Sequence, residues 1–355
     1  MKRTTIKKCL KIALVGMVSA ALMLTTAYAQ SEVKRLKVVG SWSSLTMYKN
    51  LENPFWTNTF PKEFDREIKI QMTSLGQVKL KGAAVLRQMR MGVFDVVSTV
   101  ADYVVSDSAR LAGLDLPAMA PQIDLARVLT EAYRPVVEDA LADDFDARLL
   151  AIAPYPAQVL FCKNQIAGLK DLKGKKVRAS GWTTSEFVTA LGAAGVTISF
   201  GEVPQSLQRG VVDCAITGSL SGYSAGWGEV SSYLYPLPIG GWDYVITSMN
   251  MKTWNKFSAS EQRMIQTLVK KHIEDPAWEV TEFETREGVN CLTRNKCSMG
   301  KPANMNLIDI SLEDIRLSSK ILRENVLPAW AAKVDKDTVR LWNNRVGRLI
   351  NTYAE

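Results

Sequence analysis

The chain has 355 residues, 47% hydrophobic and 23% charged, which is enough for a full core and too well mixed for a disordered or fibrous protein. Its formal charge of +8 would suit a nucleic-acid partner, but five of the positive residues (Lys2, Arg3, Lys7, Lys8 and Lys11) precede the first acid, Glu32. Taking those five from +8 leaves +3, too weak and too evenly spread for a nucleic-acid footprint.

The basic start runs into an apolar stretch from Ile12 to Leu24 and then into Ala27-Tyr28-Ala29. A positive segment, an apolar segment and an A-x-A site describe a cleaved export signal over residues 1–29. The apolar stretch is short of the ~20 residues that span a bilayer. Cys9 precedes it, where a lipid-carrying cysteine would not lie, so the expected product is a soluble, exported protein.

Short β-like runs then alternate with helical patterns, which predicts an α/β architecture with parallel sheets. Residues 36–39, 68–72 and 94–97 read as strands, with helices over 51–64, interrupted at Pro54 and Pro61, and over 83–91. Leu125, Val128, Leu129, Ala132 and Val136 recur at the spacing of one helical face. Strands follow at 149–153 and 159–162, separated by Pro154 and Pro156, where the chain is expected to leave one domain for another. Residues 176–178, 196–200 and 211–215 form a second β-rich unit, with a helix over 186–191. A return crossing is expected near Trp242 to Ser248. Ser258-x-x-Glu261 is a capping-box pattern that opens a helix running to about Glu287. The last helical stretch begins at Leu312, is expected to break near Pro328, and resumes over 338–350. The predicted division is 30–154 plus 244–283 for one lobe and 155–243 plus 284–355 for the other, a cleft-and-hinge design.

A disulfide between Cys291 and Cys297 would close a short loop, and it is the expected pairing in an oxidising compartment. Cys162 and Cys214 sit in apolar strand-like runs and are expected as buried free thiols. With no C-x-x-C and one histidine, no zinc site is expected, and no other metal or cofactor. That histidine, His272, lies in a charged helical segment, which leaves serine or cysteine catalysis without a base. No phosphate-binding glycine loop or nucleophile elbow appears.

Gly168-Leu-Lys-Asp-Leu-Lys-Gly-Lys-Lys-Val-Arg178, followed by Phe200-Gly-Glu-Val-Pro-Gln-Ser-Leu-Gln-Arg-Gly-Val-Val-Asp213, resembles the solute-binding proteins of tripartite ATP-independent periplasmic (TRAP) transporters. Leu75-Gly-Gln77, Met91-Gly-Val-Phe-Asp95 and Leu114-Asp-Leu-Pro117 resemble the family in order and spacing. The resemblance implies a two-lobe periplasmic binding protein fold, type II-like, with hinge strands and a long inter-lobe helix. It further implies a small organic acid as ligand and integral-membrane TRAP subunits as partners. It places the family's carboxylate anchor at Arg178, where a rigid guanidinium fork suits a carboxylate, and adds Gln77 as a site residue.

Two departures from the family bear on the ligand. Pro156 to Leu160 holds no second cation, and Thr217 stands where the family carries an asparagine. One anchor favours a monocarboxylate, since a second buried carboxylate would lack a partner. Trp42, Tyr103, Trp182 and Trp242 lie beside the expected cleft segments and suit an aromatic or apolar acid, with Thr217 offering a hydroxyl. Trp56, Trp254, Trp278, Trp330 and Trp342 fall in helical contexts and are expected in the core. A monomer is the default for a receptor that opens and closes. The rival readings are an exported enzyme and a ligand-binding protein that docks on a sensor.

Overall fold

The structure, a computed structural model, describes residues 33–80, 83–294 and 296–355; the expected export signal, 1–29, lies outside them. In chain order its strands are β1 (Arg35–Gly40), β2 (Lys69–Ser74), β3 (Val96–Val100), β4 (Ala147–Ala153), β5 (Gln158–Cys162), β6 (Lys176–Ala179), β7 (Ala194–Thr197), β8 (Cys214–Gly218), β9 (Tyr233–Tyr235), β10 (Val245–Asn250) and β11 (Asn306–Leu307). They form two sheets, ordered β2-β1-β3-β10-β4 and β11-β9-β5-β8-β6-β7. In the first, β1, β2 and β3 are parallel, and β10 runs antiparallel between β3 and β4. In the second, β6, β7 and β8 are parallel, and β5 runs antiparallel to β8 and β9. The chain passes between the sheets at 154–157 and returns at 236–244.

The central strands are sealed on both faces, so they read as unbroken apolar runs rather than alternating ones. Two boundaries differ from expectation. β8 begins at Cys214, opposite Val177, because the chain turns at Gly210 (φ 71°) and leaves Val211 half exposed. β7 ends at Thr197, which frees the Ile198 carbonyl for another partner.

The capping box at Ser258 and Glu261 forms, with Ser258 N–H donating to the Glu261 carboxylate at 2.8 Å and Glu261 N–H to Ser258 Oγ at 3.3 Å. From it the helix runs through Ala259–Val269, Lys270–Glu274 and Asp275–Thr293 without a break. This helix touches both sheets. Trp278 Nε1 donates to the Ile152 carbonyl in β4, while Thr285 accepts from Ala157 N–H beside β5 and receives Ser219 Oγ on its carbonyl.

Prolines that should break helices do not. Pro54, Pro61, Pro276 and Pro328 each stand two residues beyond a wide π turn (Met47–Glu52, Phe55–Thr59, Lys270–Glu274, Leu322–Val326). In each case the residue before the proline donates its N–H five residues back, as Leu327 does to Leu322. The wider turn makes room for a ring that would otherwise clash with the preceding turn. The interruptions expected at Pro54, Pro61 and Pro328 are therefore absent, and the C-terminal break falls after Ala331 instead.

The C-terminal stretch, assigned from sequence to the second lobe, serves both sides. Asp314 accepts from Leu169 N–H and the Tyr235 hydroxyl near the second sheet. Trp330 and Trp342 donate to the carbonyls of Ala109 and Gly113, in the 3-10 helix Ala109–Leu114 that lies between β3 and β4 in the chain. All five tryptophans expected in the core are buried. Cys291 bonds to Cys297. Cys162 and Cys214 are also bonded, contrary to the free thiols expected, because the β5–β8 register sets them directly opposite each other.

At the helix crossing, a Cβ on Gly288 would lie 2.2 Å from the Leu220 backbone nitrogen. Gly288→Ala is expected to destabilise the protein by about 1–3 kcal/mol through overpacking. An unchanged melting temperature would show that the crossing has slack.

Candidate functional site

In parallel sheets the strand ends leave backbone and loop side chains converging at their carboxyl edge, where ligands of open α/β folds sit. Here both sheets direct that edge at one cavity of ≈ 430 Å³. Trp42 follows β1, Leu75 follows β2, Asp102 and Tyr103 follow β3, Ser180 and Trp182 follow β6, and Ile198 follows β7; all line it. The volume falls within the ~300–1,000 Å³ of small-molecule sites.

Arg178 lies in β6 and is 1% exposed, behind the lining residues. Its Nε donates to the Ile198 carbonyl at 3.0 Å and its Nη1 to the Ile216 carbonyl at 2.5 Å. Its guanidinium carbon stands 5.5 Å from the Trp227 ring centroid. Among the described residues, Nη2 has no hydrogen-bond partner. Trp227 packs in turn against Phe200, and Phe200 against Trp42, in tilted contacts with centroids 5.5 Å apart, so an aromatic row leads from the cation to the cavity wall.

The two sheets are tied across the cavity by Asp102. Its carboxylate accepts from Thr183 N–H at 3.2 Å and Thr183 Oγ1 at 3.0 Å, at the start of helix Trp182–Ala190. A negative charge at a helix N-terminus meets free N–H groups and the positive end of the helix dipole. Gly181 permits the approach, since a Cβ there would lie 2.3 Å from Asp102 Oδ2. Trp182 lines the cavity, and the Lys333 ammonium stands 4.7 Å from its ring centroid.

The predicted site residues divide. Trp42, Tyr103 and Trp182 line the cavity, and Arg178 touches it through Ile198. Thr217 is buried in β8, and the β6–β8 register puts it on the face that carries Arg178, but it does not line the cavity. Gln77 is exposed and spends its side-chain oxygen on the Ser74 N–H, closing a helix turn. Trp242 is buried with its indole N–H on the Ala120 carbonyl, a core tryptophan. Gln77 and Trp242 are thus held by structural bonds away from the cavity.

Sequence reasoning missed the acids. Asp102, Asp115 and Asp243 are all buried, against a single buried arginine among the described residues. Burial pushes Asp102 up to about 6 despite the Thr183 bonds, Asp243 up to about 7 despite Arg178, and Asp115 up to about 8 despite two backbone donors. Burial also raises the Tyr103 hydroxyl, with Asp243 adding to the shift and Arg178 opposing it. The available signals were an acid directly after a strand, Asp102, and an acid after Gly240-Gly241, Asp243.

A carboxyl raised in the folded state binds protons that the unfolded chain, near 3.8, has released. Stability carried by these groups is therefore greatest below about pH 4 and is lost as pH rises towards 8, at about 1.4 kcal/mol per pH unit for each proton held only in the native state. Thermal unfolding of the ligand-free protein between pH 5 and 8 should show a falling melting temperature. A rise would mean that these acids are not desolvated.

The DctP family, bacterial extracellular solute-binding protein family 7, matches residues 41–299. An uncharacterized protein of Salmonella typhimurium, YiiZ, is 27% identical over 230 residues, 62% of this chain and 68% of that one. Among solved structures, DctP7 of Bordetella pertussis, an extracytoplasmic solute receptor binding pyroglutamic acid, is 20% identical with a TM-score of 0.76, covering 88% of this chain and 99% of that one. A TRAP periplasmic solute binding protein of Desulfovibrio salexigens with bound orotic acid is 15% identical with a TM-score of 0.78, covering 89% and 99%. Further structures of this fold hold malonate or succinate. The family consists of receptors rather than enzymes, which removes the exported enzyme as a rival. The chain belongs to family 7 of the bacterial extracellular solute-binding proteins, the periplasmic solute receptors of TRAP transporters.

Proposed function

We propose that this receptor binds an aromatic or otherwise apolar monocarboxylate in the cavity between its sheets and delivers it to TRAP membrane subunits, after export through cleavage of residues 1–29. The lobes are those built on the two sheets, joined at 154–157 and 236–244. The observation that carries this reading is Arg178: buried, held by two carbonyls and an aromatic face, with Nη2 left over. A desolvated guanidinium with a spare donor gains most from a carboxylate. Among the described residues no lysine or arginine lines the cavity, which supports a ligand with one carboxylate. Trp42, Tyr103 and Trp182 offer flat apolar walls.

Unfolding temperatures measured against aromatic and aliphatic mono- and dicarboxylates test this directly. A ligand at ~100 times its Kd adds about 2.7 kcal/mol of stability. Shifts are expected with aromatic monocarboxylates, and larger shifts with dicarboxylates would overturn the single-anchor reading. Arg178→Ala should weaken binding by about 2–5 kcal/mol, and Arg178→Lys, which keeps charge but loses the fork, should fall between. Trp182→Ala should weaken an aromatic acid more than a short aliphatic one; equal losses would give Trp182 a packing role.

A further inference from the structure

Lys333 is a cation that the reading above leaves unused. It is exposed, and its ammonium stands 4.7 Å from the centroid of the Trp182 ring, with no carboxylate partner among the described residues. Both members of the contact are held through their backbones. Lys333 N–H donates to the carbonyl of Trp330, a fully buried tryptophan, and Ala332 N–H donates to the Pro328 carbonyl. Trp182 opens the helix Trp182–Ala190, whose second residue, Thr183, is bonded twice to Asp102.

Trp182 lines the cavity and Lys333 does not. The ring therefore stands between the ammonium and the space inside. A ligand atom packed on the far side of the ring, at a van der Waals separation of ~3.5 Å, stays about 8 Å from the ammonium. An ion pair needs an approach to within about 4 Å, so Lys333 cannot pair with a ligand while the ring is in place. Among the described residues, the charged side chains that line the cavity are Asp102 and Glu202, both acids. A second carboxylate inside would meet like charge there, with the ammonium beside the wall held out of reach.

We infer that Trp182 is a specificity-determining residue: its ring partitions the cavity from Lys333 and so makes this a site for one carboxylate rather than two. The inference rests on the reading that the cavity takes a carboxylate. It gives the ring a role that apolar wall area alone does not. Removing an inert wall would only enlarge the cavity. Removing this one also brings an ammonium that lacks an acid partner within reach of the far end of a ligand.

Calorimetric titration of the purified protein at low salt tests the point with two matched pairs, hexanoate against adipate and phenylacetate against 4-carboxyphenylacetate. The parent is expected to bind neither diacid more tightly than its monoacid. In Trp182→Ala the affinity of diacid relative to monoacid should rise by about threefold or more for at least one pair. Adding Lys333→Met should return that ratio to the parent's value. A ratio that does not rise, loss of all binding by the variant included, or a rise that survives Lys333→Met, would overturn the partition and leave the carboxylate reading standing. Should Trp182→Ala fail to fold, Trp182→Leu keeps an apolar side chain without the ring and makes the same comparison. A parent that prefers the diacids would overturn the single-anchor reading together with this inference. No binding of any of these acids by the parent would overturn the carboxylate reading and this inference with it.

Discussion

Taking a guanidinium out of water costs several kcal/mol unless its donors are met and its charge is balanced. Arg178 is 1% exposed, and the structure around it meets that demand at Nε and Nη1, with Nη2 left without a partner among the described residues. β7 stops at Thr197 so that the Ile198 carbonyl can turn to Nε. The Ile216 carbonyl in β8 takes Nη1, and the Trp227 face lies beside the planar group. Asp102 and Asp243 supply opposite charge from segments adjoining the first sheet. A cation fixed in one sheet and balanced from the other makes the space between them a place of fixed polarity. A ligand entering it meets dipoles that are already oriented, so little of its binding energy goes into reorganising the protein.

That arrangement needs the two sheets to meet in a defined way. The helical run from Ala259 to Thr293 fixes one side of the relation, with Trp278 bonded beside β4 and Thr285 beside β5. Its close crossing at Gly288 leaves no room for a side chain. Across the cavity, Asp102 meets the N-terminus of helix Trp182–Ala190. One contact is a packed, glycine-dependent crossing and the other is a carboxylate on a helix end. Overpacking the first costs about 1–3 kcal/mol, whereas the second rests on a buried carboxyl raised to about 6, whose contribution to stability falls as pH rises through that value. The cavity therefore lies between a rigid side and a side held by polar bonds.

Much of this was legible in the sequence where local physics decides the outcome. Strands sealed on both faces announced themselves as apolar runs, and the Ser258/Glu261 pattern became a real capping box. Where tertiary context decides, the reading missed. Prolines 54, 61 and 328 looked like breaks, but π turns, which leave no sequence signature of their own, absorbed them. Cys162 and Cys214 are 52 residues apart, and only the register between β5 and β8 sets them face to face. The C-terminal helices looked like part of one lobe, but Trp330 and Trp342 reach back to carbonyls at 109 and 113.

The aromatic residues show why a site is harder to read than a fold. Trp42, Tyr103, Trp182 and Trp242 all stand just beyond or just before a strand, yet three line the cavity and one is core. The three follow parallel strands at their carboxyl ends, or, for Trp182, open the helix that follows β6. Trp242 precedes β10, which runs antiparallel to β3, so its side of the strand is reached by a turn rather than by the strand's exit. Asp115 accepts from both backbone N–H groups of that turn, and the indole N–H of Trp242 donates to the Ala120 carbonyl. Strand direction, which composition and spacing do not encode, thus decides which of these aromatic residues line the cavity and which join the core.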